Sequence, residues 1–143
     1  VYGVQGALRE YYGVKEGPEF KFPWETGPEM QVLDNKIHPD GQNAMTSAGA
    51  SYALYAPSKD VTRPSGSFNR AKIVKRGSTV EHWLNGEKIV EYQWGGPDWT
   101  ARVLASKFKE MPNYGKFQTG HFVLQDHGDL VEFRNIKIRR LPN

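Results

Sequence analysis

His121, Gln125 and His127 fall at odd positions of "GHFVLQDHGDLVEFRNIKIRR", Gly120 to Arg140. Imidazole takes or gives a proton near neutral pH, and a planar amide both donates and accepts hydrogen bonds. In an extended segment residues two apart share a face. These three then line one side with Val123, while Phe122 and Leu124 turn toward a core. The same parity sets Glu29 and Gln31 against Met30 and Val32 in "EMQVLDN". It groups Val80, His82 and Leu84 against Glu81 and Trp83 in "TVEHWLNG", and Asn69, Ala71, Ile73 and Lys75 in "NRAKIVKR". Planar hydrogen-bonding groups among aromatic rings equip a site for a sugar, with polar groups on hydroxyls and rings on C–H faces. A histidine or carboxylate among them could act as general base or acid.

Each residue also has a plainer reading. A lone strand histidine such as His82 is more often structural than catalytic, and Glu29 with Gln31 could be a solvated strand face. Trp83, Trp94 and Trp99 suit core or rim packing. Asn85 is a turn residue, and His38 before Pro39 can simply order a turn. Asp126 and Asp129 could shape the loop around Gly128, or bind Ca²⁺. The grouping carries more weight than any member. No G-x-S-x-G, H-E-x-x-H or P-loop pattern is present. A glycosidase of the usual kind needs a spaced carboxylate pair, and Glu29 has no obvious second on its face.

Two-residue parity requires strands, and strand signals dominate. "EMQVLDN" (29–35), "AGASYALYA" (48–56) and "NRAKIVKRG" (69–77) read as extended. "TVEHWLNGEKIVEYQW" (79–94) reads as a hairpin about Asn85-Gly86, whose residues both tolerate positive φ. "GHFVLQD" and "LVEFRNIKIRR" form an expected last pair, joined by 126–129. Stretches 35–47 and 56–67 are rich in Pro, Gly, Asp and Ser and read as connectors. Within 97–116 either a short helix capped by Asp98, with Trp99, Val103 and Phe108 inward, or an ordered loop fits. Many short strands with few helices imply an all-β antiparallel sandwich.

The 143 residues suit a single domain, 1–143, and 38% hydrophobic residues with 13% aromatics supply a core. Lys and Arg are scattered and the formal net charge is +3, which leaves no basic stripe for nucleic acid. With no cysteine there are no disulfides or thiolate metal sites. No apolar run approaches the ~20 residues of a membrane span. The opening "VYGVQG" lacks Met and reads like mid-strand, so the natural N-terminus is expected upstream.

The segments "TGPEMQVLDNKIHPD" (26–40), "LYAPSKDVTRPSGSFNRAKIVKRGSTVEHWLNGEKIVEY" (54–92), "ASKFKEMPNYGK" (105–116) and "GHFVLQDHGDLVEFRNIKIR" (120–139) closely resemble the 3-keto-disaccharide hydrolase domain family. The resemblance implies a concanavalin-like jelly roll of two antiparallel sheets, related to lectins and laminarinase-type glycoside hydrolases. Such domains carry several dozen more residues upstream, so the resemblance also implies that the first strands are missing here. Relatives of this kind are periplasmic or extracellular bacterial proteins, often lipoproteins, so a lipid anchor upstream is compatible. The implied substrates are glycosides already oxidised at C3.

A C3 ketone acidifies the C2 proton. Its removal gives an enolate, the C1 substituent leaves by β-elimination, and water adds back. That route needs a base near C2, a positive or hydrogen-bonding group at the C3 oxygen and an acid at the leaving group, but no carboxylate pair. Parity and resemblance together nominate His82 as base or acid with Glu29 as partner or alternate. His121 and Gln125 would hold the keto sugar. Gln31, Asn69 and Lys107 would contact hydroxyls, with Lys107 also facing enolate charge. Asp34, His38 and His127 stand at the rim. A divalent metal held by histidine and carboxylate could do the enolate work instead. The alternatives are a non-catalytic lectin-like module, an interaction domain of a larger secreted protein, and a retaining glycosidase.

Overall fold

The computed structural model describes residues 6–9, 22–117 and 120–142. Among the described residues the strands form two antiparallel three-stranded sheets. One has the order β2 (Glu29–Met30), β1 (Gly6–Arg9), β6 (Val123–Asp126). The other is the meander β3 (Ala71–Arg76), β4 (Thr79–Leu84), β5 (Glu87–Gln93), followed by the helix α1 (Pro97–Ala105). The all-β expectation holds in this antiparallel, strand-dominated form. No helix among the described residues is long and apolar enough to cross a membrane.

Turn chemistry fixes the meander. Leu84 pairs with Glu87 across Asn85-Gly86, whose φ values are 51° and 93°. Both are left-handed, as the two-residue hairpin requires. Arg76 pairs with Thr79 across Gly77-Ser78. On β4, Val80, His82 and Leu84 alternate inward as parity predicts. β5 breaks that alternation. His82 pairs with Val90 but Trp83 with Lys88, so Ile89 is an extra residue. The bulge puts Ile89 and Val90, neighbours in sequence, on the buried side together.

The helix reading of 97–116 is the one realised, though Gly96 is its N-cap and Pro97 opens it. Asp98, expected as the cap, instead accepts hydrogen bonds from the Tyr55 hydroxyl at 2.7 Å and Arg102 Nε at 2.9 Å. Trp99 is buried and Phe108 is buried in the short 3₁₀ turn Lys107–Glu110 that follows. Tyr55, Tyr92 and Trp99 stack in series at 4.8 and 5.2 Å, and Trp94 lies 5.7 Å from Trp99. Trp94 and Trp99 are therefore core residues, not sugar platforms.

Two strand expectations are corrected. Segment 48–56 is no continuous strand: Ser51 and Tyr55 exchange backbone hydrogen bonds at 3.0 and 2.9 Å around Ala53, whose φ is 60°. "GHFVLQD" and "LVEFRNIKIRR" do not pair. β6 pairs with β1, and no strand is assigned among described residues 130–142. Asn135 at φ 55° interrupts the extended run, and Leu130 and Ile138 are 69% and 70% exposed.

Gly49 links β4 to the residue after β2 through hydrogen bonds. Its N–H donates to Gln31 O at 2.7 Å, and its carbonyl accepts from His82 Nδ1 at 3.0 Å. Its φ is 87°, and a Cβ there would lie 2.2 Å from Ile89 Cδ1. Gly49→Ala combines left-handed strain with overpacking, so a loss of about 2 kcal/mol is expected in urea unfolding. Gly77→Ala is the control, since φ is 55° but no atom lies within 4 Å of its Cβ. Equal losses in the two variants would show that packing against Ile89 is not what reserves position 49 for glycine.

Candidate functional site

β2 is flanked on both sides. Arg9 of β1 stands opposite both Glu29 and Val123, and Ala7 stands opposite Gln125. On the other side, segment 49–52 runs antiparallel to β2. Tyr52 N–H donates to Glu29 O at 3.0 Å, Gln31 N–H donates to Ala50 O at 3.0 Å, and Met30 bridges Ser51. Residues opposite one another across an antiparallel ladder project to the same face. One face thus carries a row of positions 52, 29, 9 and 123, and a second row of 50 and 31 on one side and 7 and 125 on the other, Gln31 sharing this face by its two-residue step from Glu29. Met30 and Ser51 belong to the opposite face, and Met30 is part of the core.

These rows bring together Glu29, Gln31 and Gln125, on strands expected to carry them. Glu29 and Gln31 are only 7% and 8% exposed. Gln125 is half-buried, and its Oε1 is shut off from solvent without a hydrogen bond among the described residues. His121 and His127 lie beyond the ends of β6 and are exposed. Strand parity therefore does not carry their side chains to the face of Gln125.

Tyr52 was not singled out by the sequence, because its place beside Glu29 depends on pairing register and not on local pattern. It gathers further groups. Its hydroxyl donates to Asp40 Oδ2 at 3.4 Å, and Lys107 Nζ lies 4.2 Å from its ring centroid, a cation–π distance. His38 Nδ1 accepts from Asp40 N–H at 3.1 Å, ordering the 3₁₀ turn Pro39–Gln42. Lys107, through the Tyr52 ring, and His38, through Asp40, thus come to the Tyr52 side chain.

Three expectations are corrected. His82 is 1% exposed, sits edge-on to Tyr92 with ring centroids 5.8 Å apart, and holds the Gly49 carbonyl. Burial pushes its pKa down to about 4, partly offset by that hydrogen bond. Its place is the core, where it braces the segment beside β2. Asn69 is consumed by turn bonds: its Oδ1 accepts from Arg63 N–H at 2.8 Å and Asn85 Nδ2 at 2.7 Å, and its Nδ2 donates to Arg63 O. Asp34 is bound by the Ser65 hydroxyl and by Lys36 N–H at 2.9 Å. The Ser65 hydroxyl, opposed by partial burial and aided by backbone N–H groups, holds the Asp34 carboxyl below its usual range. Both side chains organise loops because polar groups of connectors satisfy local backbone first.

In the short acidic loop Gly128 N–H donates to Asp126 Oδ1 at 2.6 Å, a bond that shapes the turn. No three His, Asp or Glu side chains among the described residues converge as a metal-holding group. Trp83 lies on the outer face of the meander, its indole N–H on Glu81 Oε2 at 2.7 Å and Lys72 Nζ 4.0 Å from the ring centroid.

A family model described as the 3-keto-alpha-glucoside-1,2-lyase-like domain matches residues 5–139. The chain belongs to this family. It is 36% identical over 141 residues to a Bacteroides thetaiotaomicron protein named 3-keto-disaccharide hydrolase, covering 89% of this chain and 49% of that protein. The crystal structure of a Parabacteroides distasonis protein assigned as a glycosyl hydrolase superposes with a TM-score of 0.80 at 35% identity, over 87% of this chain and 59% of that one. A second Parabacteroides distasonis protein with the same assignment, at TM-score 0.53 and 21% identity over 65% of this chain and 47% of its own, is alike in fold alone. This member of the lyase-like family thus spans about half the length of the curated relative it matches.

Proposed function

We propose that this protein cleaves glycosides oxidised at C3, by C2 proton abstraction, β-elimination and hydration. The observation that carries the reading is the shared face of Glu29, Gln31 and Gln125, with Tyr52 opposite Glu29 and Lys107 against the Tyr52 ring. A single carboxylate among the aligned positions of this face, beside two amides, suits an elimination route, which does without the second carboxylate of ordinary glycosidases. Glu29 is the base at C2. Lys107 supplies positive charge for the enolate oxygen, as electrostatic stabilisation of developing charge requires. A buried amide oxygen lacking a donor costs about 1–3 kcal/mol, and a sugar hydroxyl would supply that donor to Gln125. Gln31 contacts a second hydroxyl, and His121, His127 and His38 form the rim. The name of the Bacteroides relative and the description of the family support the keto-sugar substrate class. We read residues 1–143 as a single domain of the concanavalin-like jelly-roll type, with its two sheets as parts of one sandwich, working in the periplasm or outside the cell.

The test uses a matched pair, a 3-keto-disaccharide and its unoxidised parent, in D₂O. Aglycone release from the keto form alone, with deuterium entering at C2, is the expected result. Cleavage of the parent would identify a conventional glycosidase. Binding of either sugar with neither release nor exchange would identify a lectin-like module.

A further inference from the structure

The proposed elimination needs a proton for the departing oxygen at C1, and neither glutamine can give one. We propose that Tyr52 is that acid, a catalytic residue placed beside Glu29 by the pairing of segment 49–52 with β2. This inference rests on the keto-glycoside reading above.

Three observations converge on Tyr52. The backbone bond from its N–H to Glu29 O, at 3.0 Å, and the bridge between Met30 and Ser51 set it opposite Glu29 in register, so both side chains leave the same face. Neighbouring side chains of such a pair have Cβ atoms about 5 Å apart, which suits two groups serving adjacent carbons of one sugar ring. The ring is half-buried and fixed from two sides, by Asp40 Oδ2 at 3.4 Å from the hydroxyl and by Lys107 Nζ at 4.2 Å from the centroid. The 3.4 Å contact is a long hydrogen bond, and such bonds are readily exchanged for a better acceptor when a substrate arrives.

The step balances. Glu29 takes the C2 proton, and the C2–H electrons form the C2=C3 enolate. As these electrons become the C1=C2 double bond, the C1–O bond breaks and the Tyr52 O–H proton passes to the leaving oxygen. In hydration, the phenolate takes a proton from water while hydroxide adds to C1, and the resulting enolate recovers its C2 proton from the Glu29 carboxylic acid. Both residues return to their starting states, and no redox partner is consumed.

An acid that protonates a leaving group matters only when that group leaves poorly. The experiment therefore compares Tyr52→Phe with wild type on two 3-keto-glucosides, one with a sugar and one with 4-nitrophenol as leaving group. The expected result is a fall of about 100-fold in kcat for the sugar aglycone and less than about 3-fold for nitrophenol. Retained nitrophenol release also proves that the variant folds. Equal losses on both substrates, or no loss on either, would overturn the assignment. Wild-type protein inactive on both would instead remove the keto-glycoside reading on which it rests.

Discussion

Glu29→Gln is expected to slow cleavage of a 3-keto-disaccharide by about 1,000-fold and to stop deuterium entry at C2, within the range that a positioned base contributes. Glu29 is the one carboxylate in the two rows that cross segment 49–52, β2, β1 and β6. The substitution keeps shape and hydrogen-bonding capacity but removes the lone pair that accepts a proton. The effect should fall on exchange and turnover together, because both pass through the same enolate. That coupling separates a base from a residue that merely binds sugar. Binding loss would raise KM and leave exchange intact at saturating substrate. Measuring C2 exchange by proton NMR alongside aglycone release gives both readouts, and normal exchange in the variant would move the base elsewhere. Tyr52→Phe supplies the complement, since exchange at C2 precedes departure of the leaving group and should survive there.

The parts of this arrangement that the sequence makes legible are local. Asn85-Gly86 announces a hairpin because few residue pairs accept two positive φ values, and the hairpin is there. Alternation puts Val80, His82 and Leu84 on one side, and sets Glu29 and Gln31 opposite Met30. Pairing partners are not local. β6 carries the same pattern whether it pairs with the segment after it or with β1 more than a hundred residues earlier, and it takes the distant edge. Tyr52 illustrates the cost of that ambiguity: nothing in "AGASYALYA" says that it will stand next to Glu29. Side-chain satisfaction is equally hidden. Asn69 and Asp34 look available in the sequence and are spent on connectors, while the bulge at Ile89 breaks parity where two buried apolar residues follow one another.

His82 shows why a polar residue on an inward face need not be chemical. A hydrogen bond to a carbonyl requires an N–H, so Nδ1 carries a proton, and burial, which lowers the pKa to about 4, keeps the ring neutral near pH 7. Through the Gly49 carbonyl, and from Gly49 N–H to Gln31 O, the ring ties the meander to the strand that bears Glu29. Its folded pKa, about 4, lies below the ordinary value of 6.5. The unfolded chain therefore binds a proton more readily than the folded one. The contribution to stability is complete above about pH 7, is lost as pH falls from 6.5 toward 4, and does not change further below that. The difference corresponds to about 3 kcal/mol across the window. Urea unfolding of wild type and His82→Leu at intervals from pH 4 to 7 isolates it from carboxylates common to both. Wild type should lose stability relative to the variant by about that amount on acidification, although at pH 7 the variant is the weaker because the Gly49 carbonyl loses its partner. Parallel curves would mean that the imidazole titrates as freely as in the unfolded chain, and the brace between the two sheets would have to be sought in packing around Ile89 and Tyr92 instead.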